Sequence, residues 1–106
     1  MIGSDKIADI IARIVSGYHP DKIILFGSYA IGKANEDSDL DLMVIKATDL
    51  PRPQRTFQVR KMLYGALVPI DLIVYTPDEI AESRGNKFSF VSEVMKTGKI
   101  LYERVS

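Results

Sequence analysis

Lys22-Ile-Ile-Leu-Phe-Gly27-Ser28 is followed, after ten residues, by Asp39-Leu-Asp41-Leu-Met-Val-Ile45. Both runs are short and apolar, and they predict two buried strands, Lys22 to Phe26 and Asp39 to Lys46. Aspartate is depleted in strands and costly to bury as an unpaired charge. Side chains alternate along a strand, so Asp39 and Asp41 share one face while Leu40 and Leu42 take the other. Like charges crowded on one face need a counter-charge, and a bound divalent cation is the usual one.

The flanking sequence builds outward from this pair of strands. Ser4 is a candidate cap for a helix carrying Ile7, Ile10, Ile11 and Ile14 at helical spacing, with Gly17 at its end. Tyr18 to Asp21 reads as a turn. After Gly27-Ser28, Tyr29 to Gly32 fits one helical turn and Lys33 to Ser38 a polar loop. Leu50-Pro-Arg-Pro-Gln suits a helix entrance. Phe57, Lys61 and Tyr64 share a face of that helix, with Met62 and Leu63 beside them and Gly65 at its end. Pro69 opens a third strand, Ile70 to Tyr75. Thr76-Pro-Asp-Glu79 has the form of a capping box for a short helix to Arg84. A last helix, Phe88 to Thr97, is closed by Gly98, and Lys99 to Glu103 forms a terminal strand. Strands interleaved with helices predict one α/β (α+β) domain spanning residues 1–106.

The totals narrow the class. The chain has 106 residues, 46% apolar and 26% charged, with a formal net charge of zero. That balance gives no bulk attraction for nucleic acid or an anionic membrane, so neither is expected as a stable partner. The absence of cysteine excludes disulfides, thiolate metal sites and thiol nucleophiles. No apolar run approaches the roughly 20 residues that span a bilayer, and charge interrupts the first residues too early for a signal peptide. The expectation is a cytoplasmic protein.

Asp71, between Ile70 and Leu72, is a third carboxylate in an apolar strand. If the second and third strands are neighbours, Asp39, Asp41 and Asp71 converge at one sheet edge. Strand residues two apart are separated by about 6.6 Å. Such carboxylates bracket two cations roughly 3.5–4 Å apart, as in two-metal phosphoryl and nucleotidyl transfer sites. Oxygen-only ligands favour a hard ion, magnesium. Gly27 lets backbone approach a phosphate closely, and Ser28 adds a donor hydroxyl. No Walker sequence is present.

Gly27-Ser28, ten intervening residues, Asp39-Leu-Asp41 and a later strand aspartate, Asp71, resemble the minimal nucleotidyltransferase family of the DNA polymerase β superfamily. The likeness extends from the opening helix to Gly98-Lys-Ile-Leu-Tyr-Glu103. It implies a mixed sheet flanked by helices and Mg2+ held by Asp39, Asp41 and Asp71. It also implies transfer of a nucleoside monophosphate from a triphosphate, with ATP as donor and Asp71 helping to deprotonate the acceptor. Many such proteins are encoded beside a small helical HEPN-domain protein and resemble antitoxins that adenylylate a tyrosine on that toxin. The family often carries arginine before the second glycine of its turn. Here that position is Ile31, and Lys33 is the nearby positive charge for the nucleotide, a point charge without arginine's fork.

Blander assignments compete with these. Asp78 and Glu79 rival Asp71 as third ligand, but capping explains them better. Ser28 lacks a hydrolase elbow, and the single histidine, His19, sits in a turn before Pro20. Arg52, Arg55, Arg60 and Lys61 fit a solvated helix face better than contact with the triphosphate, an acidic partner or RNA. Phe88, Phe90 and Tyr102 are expected to pack rather than stack on bases. The expected function is a Mg2+-dependent adenylyltransferase acting on a HEPN-type toxin. Two alternatives stand beside it: a non-catalytic module that masks the toxin, and a small-molecule nucleotidyltransferase that needs a homodimer. A short chain offers only the donor side, which places the acceptor on a partner in a homo- or hetero-oligomer.

Overall fold

The isoleucine spacing builds α1 (Ser4–Tyr18) in the computed structural model, which describes residues 1–105. Ser4 is the first helical residue rather than the cap; extended Gly3 precedes it without a side-chain cap. The helix also runs past Gly17 and ends at His19, whose φ of 52° turns the chain left-handed. Gly17 is small for packing instead: a Cβ there would lie 2.8 Å from the Met62 sulfur.

Four strands follow as β1 (Lys22–Phe26), β2 (Leu40–Ile45), β3 (Ile70–Tyr75) and β4 (Lys99–Glu103), ordered β3-β2-β1-β4. β1 is antiparallel to β2 and β4, whereas β2 and β3 are parallel, so the sheet is mixed. A parallel pair needs a crossover, which α2 (Arg52–Met62) supplies. α3 (Pro77–Arg84) and α4 (Phe90–Thr97) join β3 to β4. Among the described residues the result is a four-stranded α+β fold with four α-helices.

Strand alternation divides the core in two. Ile23, Leu25, Leu40, Leu42, Val44, Leu72 and Val74 face α1 and α2, where Ile10, Ile14, Val59 and Leu63 cover them. Ile24, Met43, Ile45 and Tyr75 face α3 and α4, against Ile80, Val91 and Val94. Asp41 precedes Met43 by two residues and Asp71 precedes Ile73 by two. Both therefore belong to the α3/α4 face. No helix among the described residues is long and apolar enough to cross a membrane.

Several local expectations change. The helical turn after β1 is a 3-10 turn at Gly27–Tyr29, two residues earlier than Tyr29 to Gly32. α2 ends at Met62, short of Gly65, so Tyr64 lies beyond it; Phe57 and Tyr64 are both exposed, while Val59 and Leu63 are buried. Arg55 is not on a solvated face. It is 7% exposed, pairs with Glu79 at 2.7 Å and donates from Nε to the Leu50 carbonyl at 2.6 Å. Phe88 is exposed rather than packed, and α4 begins at Phe90 with Ser89 accepting from the Ser92 N–H. The capping box at Thr76 and Glu79 forms as expected.

Candidate active site

Antiparallel β1 and β2 place Phe26 opposite Asp41, so the end of β1 lies beside the start of β2. The parallel register then sets Asp41 directly beside Asp71. The same pairing is anchored one step earlier, where the Leu40 N–H donates to the Pro69 carbonyl at 2.9 Å. Asp39 precedes the first paired residue of β2. Asn35 holds the approach to it: its side-chain oxygen accepts from the Asp37 N–H at 2.8 Å, and its N–H donates to Ser38 Oγ at 2.9 Å.

Gly27 is the tightest point of the arrangement. Its φ is +72°, where L side chains are strained. A Cβ built on it would fall inside the Asp41 carboxylate, 2.9 Å from Cγ. The missing side chain lets the Asp41 carboxylate lie against the Gly27 backbone. The turn then closes through Ala30 N–H to the Gly27 carbonyl at 3.0 Å and Lys33 N–H to the Ser28 carbonyl at 2.9 Å. Lys33 is exposed, and among the described residues neither its ammonium nor the Ser28 hydroxyl has a hydrogen-bond or ion-pair partner in the chain. Ile31 is 53% exposed beside it.

Among the described residues the acids have no ion-pair partner. Every ion pair among the described residues lies elsewhere. Asp41 is half-buried; burial, then the charges of Asp71 and Asp39, push its carboxyl above the ordinary 3.8. Hard oxygen donors with nothing to neutralise them match a hard divalent cation. They do not form a closed cage: among the described residues no group of three or more His, Cys, Asp or Glu side chains is set to hold an ion. The backbone thus brings Asp41 and Asp71 together, with Asp39 close enough to act on Asp41 electrostatically.

One hollow adjoins this centre and another lies apart from it. A cavity of about 290 Å³ opens next to Gly27, between the turn and α4. A larger apolar groove of about 640 Å³ runs between α1 and β4 and includes none of the acids. Arg55 is the residue that helical periodicity missed, because a basic side chain counts there as outward-facing. No local signal marks it, since its partner, the capping Glu79, lies 24 positions away.

The model of a family described as Polymerase beta, Nucleotidyltransferase matches residues 9–106. A Methanocaldococcus jannaschii protein named "Putative protein adenylyltransferase" is 36% identical over 81 residues, 76% of this chain and 77% of that protein. The crystal structure of a putative nucleotidyltransferase from Sulfolobus solfataricus has a TM-score of 0.65 at 20% identity, covering 94% of this chain and 79% of that one. A mutant of the toxin–antitoxin MntA-HpeT gives a TM-score of 0.64 at 21% identity, over 92% of this chain and 73% of that one. A toxin–antitoxin with AMP-PNP gives 0.59 at 24% identity, over 94% and 73%. At such identities the structural likeness is one of fold.

Proposed function

The chain belongs to the polymerase β nucleotidyltransferase family, and from that premise we propose that it moves AMP from ATP onto a tyrosine hydroxyl of a partner protein. The partner in this proposal is a HEPN-type toxin, which makes the chain an antitoxin. The observation that carries the proposal is the register that sets Asp41 beside Asp71, against the bare backbone of Gly27. The adenylyltransferase name of the M. jannaschii relative and the toxin–antitoxin fold neighbours support the acceptor class.

Asp39, Asp41 and Asp71 would hold Mg2+, two ions in this proposal. Bound there, magnesium offsets phosphate charge and makes the acceptor hydroxyl more acidic. Gly27 and Ser28 would receive the triphosphate, and Lys33 would add a positive charge to it. The acceptor oxygen bonds to the α-phosphorus, pyrophosphate leaves with the electrons of the broken P–O bond, and the acceptor proton passes to Asp71. Asp71 is exposed, so a hydroxyl on a partner can come within hydrogen-bond reach of it.

The test is to purify the chain with a HEPN-domain protein encoded beside it, add ATP and Mg2+, and weigh the partner intact. One or more adenylyl groups on a tyrosine is the expected result, absent in Asp39→Asn/Asp41→Asn. An unchanged partner mass while ATP and metal bind would remove the proposal. A masking module is favoured by one observation, exposed Ile31 where the family often has arginine. That reading predicts that the double variant still neutralises the partner at normal stoichiometry.

A further inference from the structure

The cavity beside Gly27 has the size and chemistry of a base site. Its volume, about 290 Å³, sits at the lower bound of pockets that take a whole small ligand, roughly 300–1,000 Å³. It therefore suits a ring system rather than an entire nucleotide. It shares Gly27 with the phosphate turn, so a triphosphate seated there has its other end within reach of the cavity.

The walls are apolar. Phe26 and Phe90 meet edge to face at 5.3 Å and 83°, with buried Val94 below and Ile31 at the mouth. A flat aromatic ring gains most from such walls, and a purine more than a pyrimidine. The polar groups are Glu93 and Thr97. Among the described residues the Glu93 carboxylate has no hydrogen-bond or ion-pair partner. The Thr97 hydroxyl donates to the Glu93 carbonyl at 2.9 Å, which leaves it only lone pairs to offer. Both groups accept; neither donates. A base edge that donates through an exocyclic amine matches them, and one presenting only carbonyl oxygens there does not.

We propose that this cavity takes the purine of the donor nucleotide, its exocyclic amine donating to Glu93. The proposal rests on the nucleotide-donor reading above and adds the residues that choose the base. It also assigns work to Ile31: isoleucine leaves the mouth open and apolar where arginine would place a charge.

Calorimetric titration with Mg2+ and four probes, ATP, GTP, ITP and tripolyphosphate, tests it on the whole chain. A hydrogen bond to a charged group discriminates by roughly tenfold or more. ATP or GTP should therefore bind about tenfold more tightly than ITP, which lacks the amine, and the ATP and GTP arms identify the purine. Glu93→Ala should close that gap. Thr97→Phe should fill the cavity and weaken the purine nucleotides, leaving tripolyphosphate unchanged. Both side chains are exposed, so circular dichroism should show intact folds. Nucleotides that bind with affinities indifferent to both substitutions would overturn the base site while sparing the phosphate site. Failure of every probe to bind would overturn both readings.

Discussion

Gly27 is the residue on which the site's geometry turns. Its φ of +72° and the Asp41 carboxylate against its Cα leave no place for a methyl group. Gly27→Ala should cost on the order of 1–3 kcal/mol in urea unfolding, and displacement of Asp41 should slow adenylyl transfer on the order of 100-fold. Asp41 makes a second prediction. Its carboxyl titrates above the ordinary 3.8 in the fold, through burial and then Asp71 and Asp39. The native state therefore holds a proton that the unfolded chain has already released, and stability falls as pH rises from the ordinary carboxylate value through the raised one. Asp41→Asn should melt higher than the parent at neutral pH without metal, and the difference should vanish below the unfolded value. Parallel melting curves across that range would contradict the burial argument. The Gly-Ser spacing and the paired aspartates were legible because each breaks a local rule, glycine ending a strand and acids entering one. The contact between Gly27 and Asp41 was not, since it depends on the antiparallel pairing of β1 with β2.

Among the elements, α2 and α3 show where periodicity stops being informative. Arg55 reads as outward-facing by type, yet it is buried because Glu79 waits at the start of α3. Glu79 accepts from Arg55 at 2.7 Å and from the Thr76 N–H at 2.8 Å, joining both helices to the end of β3. Burial raises the Glu79 carboxyl, but those hydrogen bonds and the charges of Arg55 and Arg52 outweigh it and hold it below 4.5. Such a group stabilises the fold above its unfolded value and loses that contribution as pH falls through the folded one. Glu79→Ala should cost on the order of 3 kcal/mol by leaving a buried guanidinium unpaired. Glu79→Gln should cost less and flatten the acid limb of the stability profile. Denaturant melts from neutral pH down to pH 3 check both. The capping box itself was readable from Thr76-Pro-Asp-Glu79, because capping is decided within four residues. The partner across 24 positions was not.

Across the molecule, two cores lie on opposite faces of one sheet, and at one end of β2 and β3 Asp39 and Asp71 are exposed while Asp41 is half-buried. The isoleucines of α1 carry one of those cores. Ile14 is fully buried, so Ile14→Ala should cost about 2–5 kcal/mol. Phe57→Ser and Tyr64→Ser should change stability by under about 0.5 kcal/mol, both side chains being mostly exposed. The strand and helix order was legible from alternation and turn residues, whereas the strand neighbours were not: parallel β2 and β3 are joined through a crossover that composition does not specify. That neighbour relation places Asp71 beside Asp41, and the proposed metal site rests on it. Titrating Mn2+ and ATP into isotope-labelled protein and mapping paramagnetic broadening of the amide signals tests it directly. The account predicts broadening centred on Gly27, Ser28, Asp41 and Asp71, abolished in Asp39→Asn/Asp41→Asn. Broadening centred on the Asp78 and Glu79 end of the sheet, or scattered over the surface, would contradict it.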